Sequence, residues 1–241
     1  MKPDEEIIKQ THAALERESR VNLHHFPIHL AAQDGALTLE GEVENIAARK
    51  LALRLAEGVP GVTQIIDRLQ VAPRERKGDG EMLDTLAHLF LRECDLKNCT
   101  LRQRDQRGAE TLHEALGDDT SGEIEFSAAD GVITLEGHVL SLSHRRIAEV
   151  LAWWVPGCCG VENRLEVTPA EQDNDDEVTD ALRLVLEIDP LIHADQIQVR
   201  TSLGVVSLDG VVAREEERRM AELDAWYVPG VNEVVNRLEV R

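Results

Sequence analysis

Apolar and polar residues alternate through Leu37, Leu39, Gly41 and Val43, set against Thr38, Glu40 and Glu42. A period of two with one apolar face marks a half-buried strand. The same pattern returns at Ile133, Leu135, Gly137 and Val139, and again at Val206, Leu208, Gly210 and Val212. After each strand the period lengthens. Ala52/Ala56, Ala148/Ala152 and Ala221/Ala225 stand four apart on one helix face, widened by Leu51, Ile147 and Met220. Val-Pro-Gly then ends each helix, because proline cannot continue one and glycine turns freely. A further strand follows through Ile65/Leu69/Val71, Val161/Leu165/Val167 and Val234/Leu238/Val240.

Upstream of each first strand lies another short alternating run, at Ile28/Leu30, Ile124/Phe126 and Ile197/Val199. Asp34-Gly35 and Asp130-Gly131 are hairpin-turn dipeptides. Leu203 takes the aspartate's place in the third copy. An amphipathic helix precedes each hairpin, with Ile7/Leu15, Leu83/Leu86/Phe90 and Val178/Leu182/Val185 on its apolar side. Gly35 to Pro60, Gly131 to Pro156 and Gly204 to Pro229 are each 25 positions apart. The chain is therefore a threefold duplication. Its class is α+β: three tandem α-β-β-α-β units, each a small mixed three-stranded sheet with two helices on one face. Gly41, Gly137 and Gly210 define the repeat. Each falls on the apolar face, where a missing side chain admits a close neighbour, expected to be a packed helix.

The strand D-G-x-[IVL]-[TS]-L-[ED]-G and the ending V-P-G-V-x-x-V-x-N-R-L-x-V resemble the BON domain, a family named for bacterial osmotically inducible and nodulation proteins. The resemblance covers nearly the whole chain. It assigns residues 1–72 to the first copy, 73–80 to a charged linker, 81–168 to the second and 169–241 to the third. It implies a binding or scaffold role, stress- or envelope-related, with contact to a protein partner or a phospholipid surface. A cytoplasmic potassium-binding protein that carries a BON domain gives the alternative, a cation-binding module.

Charge changes that picture. The formal net charge is −20. Nucleic-acid binding rests on Lys and Arg neutralising phosphates, so no nucleic-acid partner is expected. Anionic lipid should be repelled for the same reason, which favours a protein partner or self-association into a homo-oligomer. No apolar run approaches the ~20 residues of a membrane span. The N-terminus lacks the apolar core of a signal peptide, so the expected address is cytoplasmic, or periplasmic if a leader has been removed.

Candidate chemistry is sparse. Leu86 and Leu182 are 96 apart while Ile124 and Ile197 are 73 apart, so the second copy holds 23 more residues within 95–122. Thr111 to Leu116 is expected to add a helical turn there, and the rest to form a surface excursion. Cys94 and Cys99 stand at its start, and Cys158-Cys159 at the second Val-Pro-Gly. A cysteine-based metal or redox switch on Cys94 and Cys99 is the weak candidate, since no paired CxxC is present. His24, His25 and His29 read as a polar loop. Glu171 to Glu177 lacks the glycine and terminal glutamate of a calcium loop. Glu215-Glu216-Glu217 reads as a solvated helix start.

Trp153-Trp154 and Trp226-Tyr227 precede Val-Pro-Gly in copies two and three, where copy one has Glu57-Gly58. They form the candidate interaction patch, either anchoring at a surface or sealing two copies together. No nucleophile elbow, dinucleotide loop, phosphate loop or HExxH motif occurs. Asp67, Asn163 and Asn236 recur at one strand position, where a polar group more often satisfies nearby backbone than catalyses. The expectation is a protein that is not an enzyme and needs no cofactor.

Overall fold

The computed structural model describes residues 3–116 and 120–241. Gly117, Asp118 and Asp119 of the inserted segment lie outside the described residues. The chain divides into two compact units, Met1–Ala72 and Pro73–Arg241.

The first unit is one copy. Helix α1 (Asp4–Arg17) leads to the hairpin β1 (Ile28–Gln33) and β2 (Ala36–Val43), then to α2 (Ile46–Glu57) and β3 (Gln64–Val71). The sheet order is β1-β2-β3, with β1 antiparallel and β3 parallel to β2. Parallel pairing requires a crossover, which α2 supplies. Both helices pack on the sheet. Ile7, Leu15, Leu37, Leu39, Leu51 and Ala52 are fully buried in a core that is aliphatic apart from Thr11, whose hydroxyl donates to the Ile7 carbonyl. Burying each Leu or Ile contributes about 1.5–3 kcal/mol, and Ala much less, before the cost of ordering the chain.

The second unit holds two copies. One runs α3 (Asp79–Arg92), β4 (Cys99–Asp105), β5 (Gly108–His113), β6 (Gly122–Ala129), β7 (Val132–Val139), α4 (Leu142–Trp153) and β8 (Gly160–Val167). The other runs α5 (Asp175–Ile188), β9 (Ile197–Ser202), β10 (Val205–Val212), α6 (Glu215–Tyr227) and β11 (Glu233–Val240). Asp79 and Gly80, assigned to the linker on sequence, begin α3.

The inserted segment departs from expectation. It is a β-hairpin, and Thr111, Leu112 and His113 lie in a strand rather than a helical turn. The hairpin extends the second copy's sheet to five strands, ordered β5-β4-β6-β7-β8, with β4 parallel to β6. Cys99 and Leu101 point into the core, at 0% and 1% exposure. Arg102 and Arg104 point outward and pair with Glu123 and Glu125 of β6. In the other two copies the corresponding strands, β1 and β9, are sheet edges.

The repeat glycines also have a different neighbour from the one expected. Gly41, Gly137 and Gly210 have φ of 143°, 123° and 142°. A Cβ at these positions would lie 2.7 Å from the Pro27 carbonyl oxygen, 2.2 Å from that of Glu123 and 2.0 Å from that of Gln196. The close neighbour is the backbone at the start of the adjoining antiparallel strand, not a helix. Positive φ and a carbonyl within bonding range of any side chain make glycine obligatory there.

Candidate binding surface

Two polar devices recur in every copy, and a third holds copy three. The first is an aspartate in the first turn of the leading helix. Asp4 accepts from the backbone N–H groups of Asp34 and Gly35 at 3.2 and 3.3 Å. Asp79 accepts from Asp130 and Gly131 at 3.1 and 3.1 Å, and Asp175 from Leu203 and Gly204 at 2.6 and 2.9 Å. Each carboxylate therefore pins the hairpin turn to the helix start, where the helix dipole also favours an anion. Residue spacing gave no hint of this, because helix and turn are about 30 or, across the insertion, about 50 residues apart.

The second device is the recurrent amide or acid of the last strand. Asn163 Nδ2 donates to the Arg145 carbonyl and to Glu149, and its Oδ1 accepts from Leu165 N–H. Asn236 repeats this with Arg218, Glu222 and Leu238. Asp67 makes the same backbone contact to Leu69 and pairs with Arg49 at 2.7 Å.

The third device corrects the reading of Glu215-Glu216-Glu217 as a solvated helix start. Glu217 is 3% exposed. It accepts from the Ala213 and His193 N–H groups and lies 2.8 Å from the His193 ring. Burial pushes its pKa up, but the bonds from His193 and Ala213 outweigh burial and hold it below the usual range.

The helix faces carry the differences between copies. In the Pro73–Arg241 unit α4 packs against both α5 and α6. Trp153 stacks on Tyr227 with ring centroids 5.8 Å apart and planes at 19°. Trp154 caps α4, and its Nε1 donates to Asp224 Oδ1 at 3.0 Å. Trp226 is 2% exposed and Trp153 6%. Three residues of the candidate patch, Trp153, Trp154 and Tyr227, thus meet the other copy between copies two and three, while Trp226 is buried. Arg146 is buried in the same contact. Its Nε donates to the Pro229 carbonyl and its Nη2 pairs with Asp173 at 2.5 Å. Glu171 accepts from Leu142 N–H, so the segment leading into α5 clamps the start of α4.

Asp224 is the unusual member. It is fully buried, one oxygen faces no donor, and Asp189 lies against it. Burial first, and then Asp189, push its pKa up to about 8, while the bond from Trp154 opposes them. Burial and the nearby Asp224 also push Tyr227 up. By repeat register Asp224 corresponds to Leu55 and Leu151.

Copy one carries Glu57 and Gly58 at the aromatic positions. Its α1–α2 face bears a groove of about 480 Å³, lined by Ala13, Ala14 and Arg17 from α1, by Arg54 and Leu55 from α2 and by the α2 C-cap Gly58.

The cysteines do not gather. None of the four forms a disulfide. Cys94 is exposed, and the Glu93 carboxylate 3.3 Å away pushes its pKa up. Burial pushes Cys99 to about 11. Metal ligation and redox chemistry need the thiolate, and both surroundings disfavour it. Glu93, Cys94 and Asp95 are one cluster of potential ligands, but Glu93 Oε1 already accepts from Asp95 N–H and the Cys94 thiol. His24, His25 and His29 are exposed, and His25 bonds Asn22. No helix among the described residues is long and apolar enough to cross a membrane.

Comparison with known proteins agrees with this threefold architecture. The chain is 29% identical over 127 residues to osmotically-inducible protein Y of Escherichia coli (strain K12), covering 50% of this chain and 63% of that protein. Two structures of CdsD, a structural protein of the type III secretion system of Chlamydia trachomatis, align over 100% and 98% of this chain and 100% and 92% of theirs. They share 13% and 14% identity, with a TM-score of 0.25 in each case, too low to support a structural argument. The BON domain profile matches residues 3–73, 104–169 and 174–241. Its second segment starts inside β4, because the inserted hairpin separates α3 from the rest of its copy. With three matched segments spanning most of its length, each built on the same glycine, turn and crossover, the chain belongs to the BON domain family.

Proposed function

We propose that this protein is a non-catalytic binding scaffold with an osmotic-stress or envelope-related role, acting through a protein partner. One observation carries this reading. The polar side chains that recur across the copies — Asp4, Asp79 and Asp175, then Asp67, Asn163 and Asn236 — all have structural hydrogen-bond partners inside their own copy. Chemistry repeated three times is therefore the chemistry of holding a fold. Apart from the hairpin inserted in copy two, what varies between copies is the helix surface, which is where binding specificity resides.

The osmotic association comes from the relative's name and from the family resemblance. A protein partner is favoured over phospholipid because the chain carries a net charge of −20 and its paired tryptophans face inward. The test is genetic and biochemical. Cells lacking the protein should grow more slowly than wild type after an osmotic upshift, and in-cell crosslinking of the restored chain should recover a discrete complex. Unchanged growth together with an uncrosslinked chain would overturn the reading.

A further inference from the structure

We propose that the α1–α2 groove of residues 1–72 is a docking site for an amphipathic helix of a partner protein, presenting an aromatic side chain flanked by carboxylates. The inference rests on the binding-scaffold reading and names the site and the chemistry of its occupant.

The repeat itself shows what such a surface takes. The turn-pinning aspartates align α1 with α5, and the Val-Pro-Gly ends align α2 with α6. By that register Arg17 corresponds to Ile188, Arg54 to Leu223, Leu55 to Asp224 and Gly58 to Tyr227. In copy three this surface is occupied. Tyr227 stacks on Trp153, Asp224 accepts from Trp154, and the Pro229 carbonyl accepts from Arg146. All three partners come from α4 or its C-cap. The face between the two helices of a copy is thus a helix seat within this same chain.

Copy one has that seat with altered lining, and the alterations specify the occupant. Gly58 replaces a tyrosine, and Ala13 and Ala14 replace Leu184 and Val185. The lost volume is the groove, and it matches a large side chain supplied from outside. Leu55 replaces the buried acid, leaving that part of the lining apolar. Arg17 and Arg54 replace Ile188 and Leu223, putting two guanidinium groups beside an apolar cleft. Residues 1–72 carry eight Lys and Arg against eleven Asp and Glu, whereas residues 171–241 carry seven against seventeen. The least acidic copy holds the groove, and Arg forks pair best with carboxylates. An aromatic anchor in a pocket with charged groups at the rim is the usual layout of a strong helix contact.

The test uses the full chain, 15N-labelled, and two stapled helical peptides. One has the native 141–155 sequence. The other carries Arg145→Glu and Arg146→Glu. The expected result is that the glutamate peptide shifts the amides of Ala13, Ala14, Leu55 and Gly58 and binds about tenfold tighter than the native peptide. Gly58→Trp in the full chain should remove binding by filling the groove. Its backbone accepts a side chain, since φ is −71° and a Cβ would meet only the Arg54 and Leu55 carbonyls at 3.6 Å. Arg17→Glu with Arg54→Glu should reverse the order of the two peptides. Undisturbed amides with both peptides, or binding that survives Gly58→Trp, would overturn the proposal. So would phosphatidylglycerol vesicles shifting the same amides when neither peptide does, or sedimentation showing a dimer that Gly58→Trp dissociates. If Gly58→Trp leaves osmotic growth and the crosslinked complex intact, the groove assignment fails while the scaffold reading stands.

Discussion

Copies one and three share a fold, a hairpin turn and a helix end, yet their helix faces differ. In copy three the α5–α6 face is closed by α4, through stacked rings, an indole–carboxyl bond and a buried arginine. In copy one the α1–α2 face keeps a groove rimmed by Arg17 and Arg54. The difference lies in a handful of side chains on a backbone that is otherwise repeated. One small sandwich is thus used twice, once as a structural half and once as a surface.

The comparison can be broken most forcefully at the aromatic position. Trp153→Ala should cost the Pro73–Arg241 unit about 3–5 kcal/mol, because a nearly buried indole leaves a cavity and an unpaired tyrosine face. Glu57→Ala, at the same register in copy one, should change stability by about 0.5 kcal/mol or less. Urea unfolding monitored separately for each unit checks both. Equal losses would mean the faces do not differ in the way the geometry indicates.

A smaller effect should follow from Asp224. Its folded pKa of about 8 stands above the ordinary 3.8. A carboxyl with a raised folded pKa contributes its full stability below the unfolded value and loses it as pH rises toward the folded one. The contact should therefore weaken between about pH 4 and 8, at a slope no steeper than about 1.4 kcal/mol per pH unit. Asp224→Asn keeps an acceptor for Trp154 and should flatten that slope. Asp189 and Tyr227, the other titratable groups facing it, remain in both proteins. A wild-type melting temperature equal at pH 5 and pH 8.5 would contradict this.

The turn-pinning aspartates sharpen the comparison as its control. Asp4→Ala and Asp175→Ala should each cost about 1–2 kcal/mol, alike in the open and the closed copy, because the bonds lie within a copy. The smallest effect is expected at Leu203. It holds φ at +52°, as Asp34 and Asp130 do in their turns. Leu203→Asn should raise stability by about 0.5–1 kcal/mol, since asparagine tolerates the left-handed region better than leucine. Thermal unfolding checks it, and a loss in place of a gain would contradict the strain argument.

Most of the fold is legible in the sequence alone. Period-two runs located the core strands, alanine pairs located the second helices, and Val-Pro-Gly located their ends. The inserted hairpin was partly legible, because Cys99 and Leu101 alternate with Thr100 and Arg102. What hid it was the lack of a counterpart in the other copies. The candidate binding surface was less legible. The aromatic pairs were visible as a patch, but nothing in their spacing shows whether they face a second copy or solvent. Glu217 was misread because a third glutamate in a charged run looks solvated until His193, 24 residues away, is seen beside it.

By itself, then, the sequence determined the repeat, the elements and the glycines, because periodicity and backbone strain are local and act within a few residues. Tertiary structure decided which faces close. It brought Trp153 onto Tyr227, set Asp224 under Trp154 and left Gly58 lining a groove. Those outcomes depend on side chains that meet across tens of residues, where shape and burial, and not sequence spacing, set the energy.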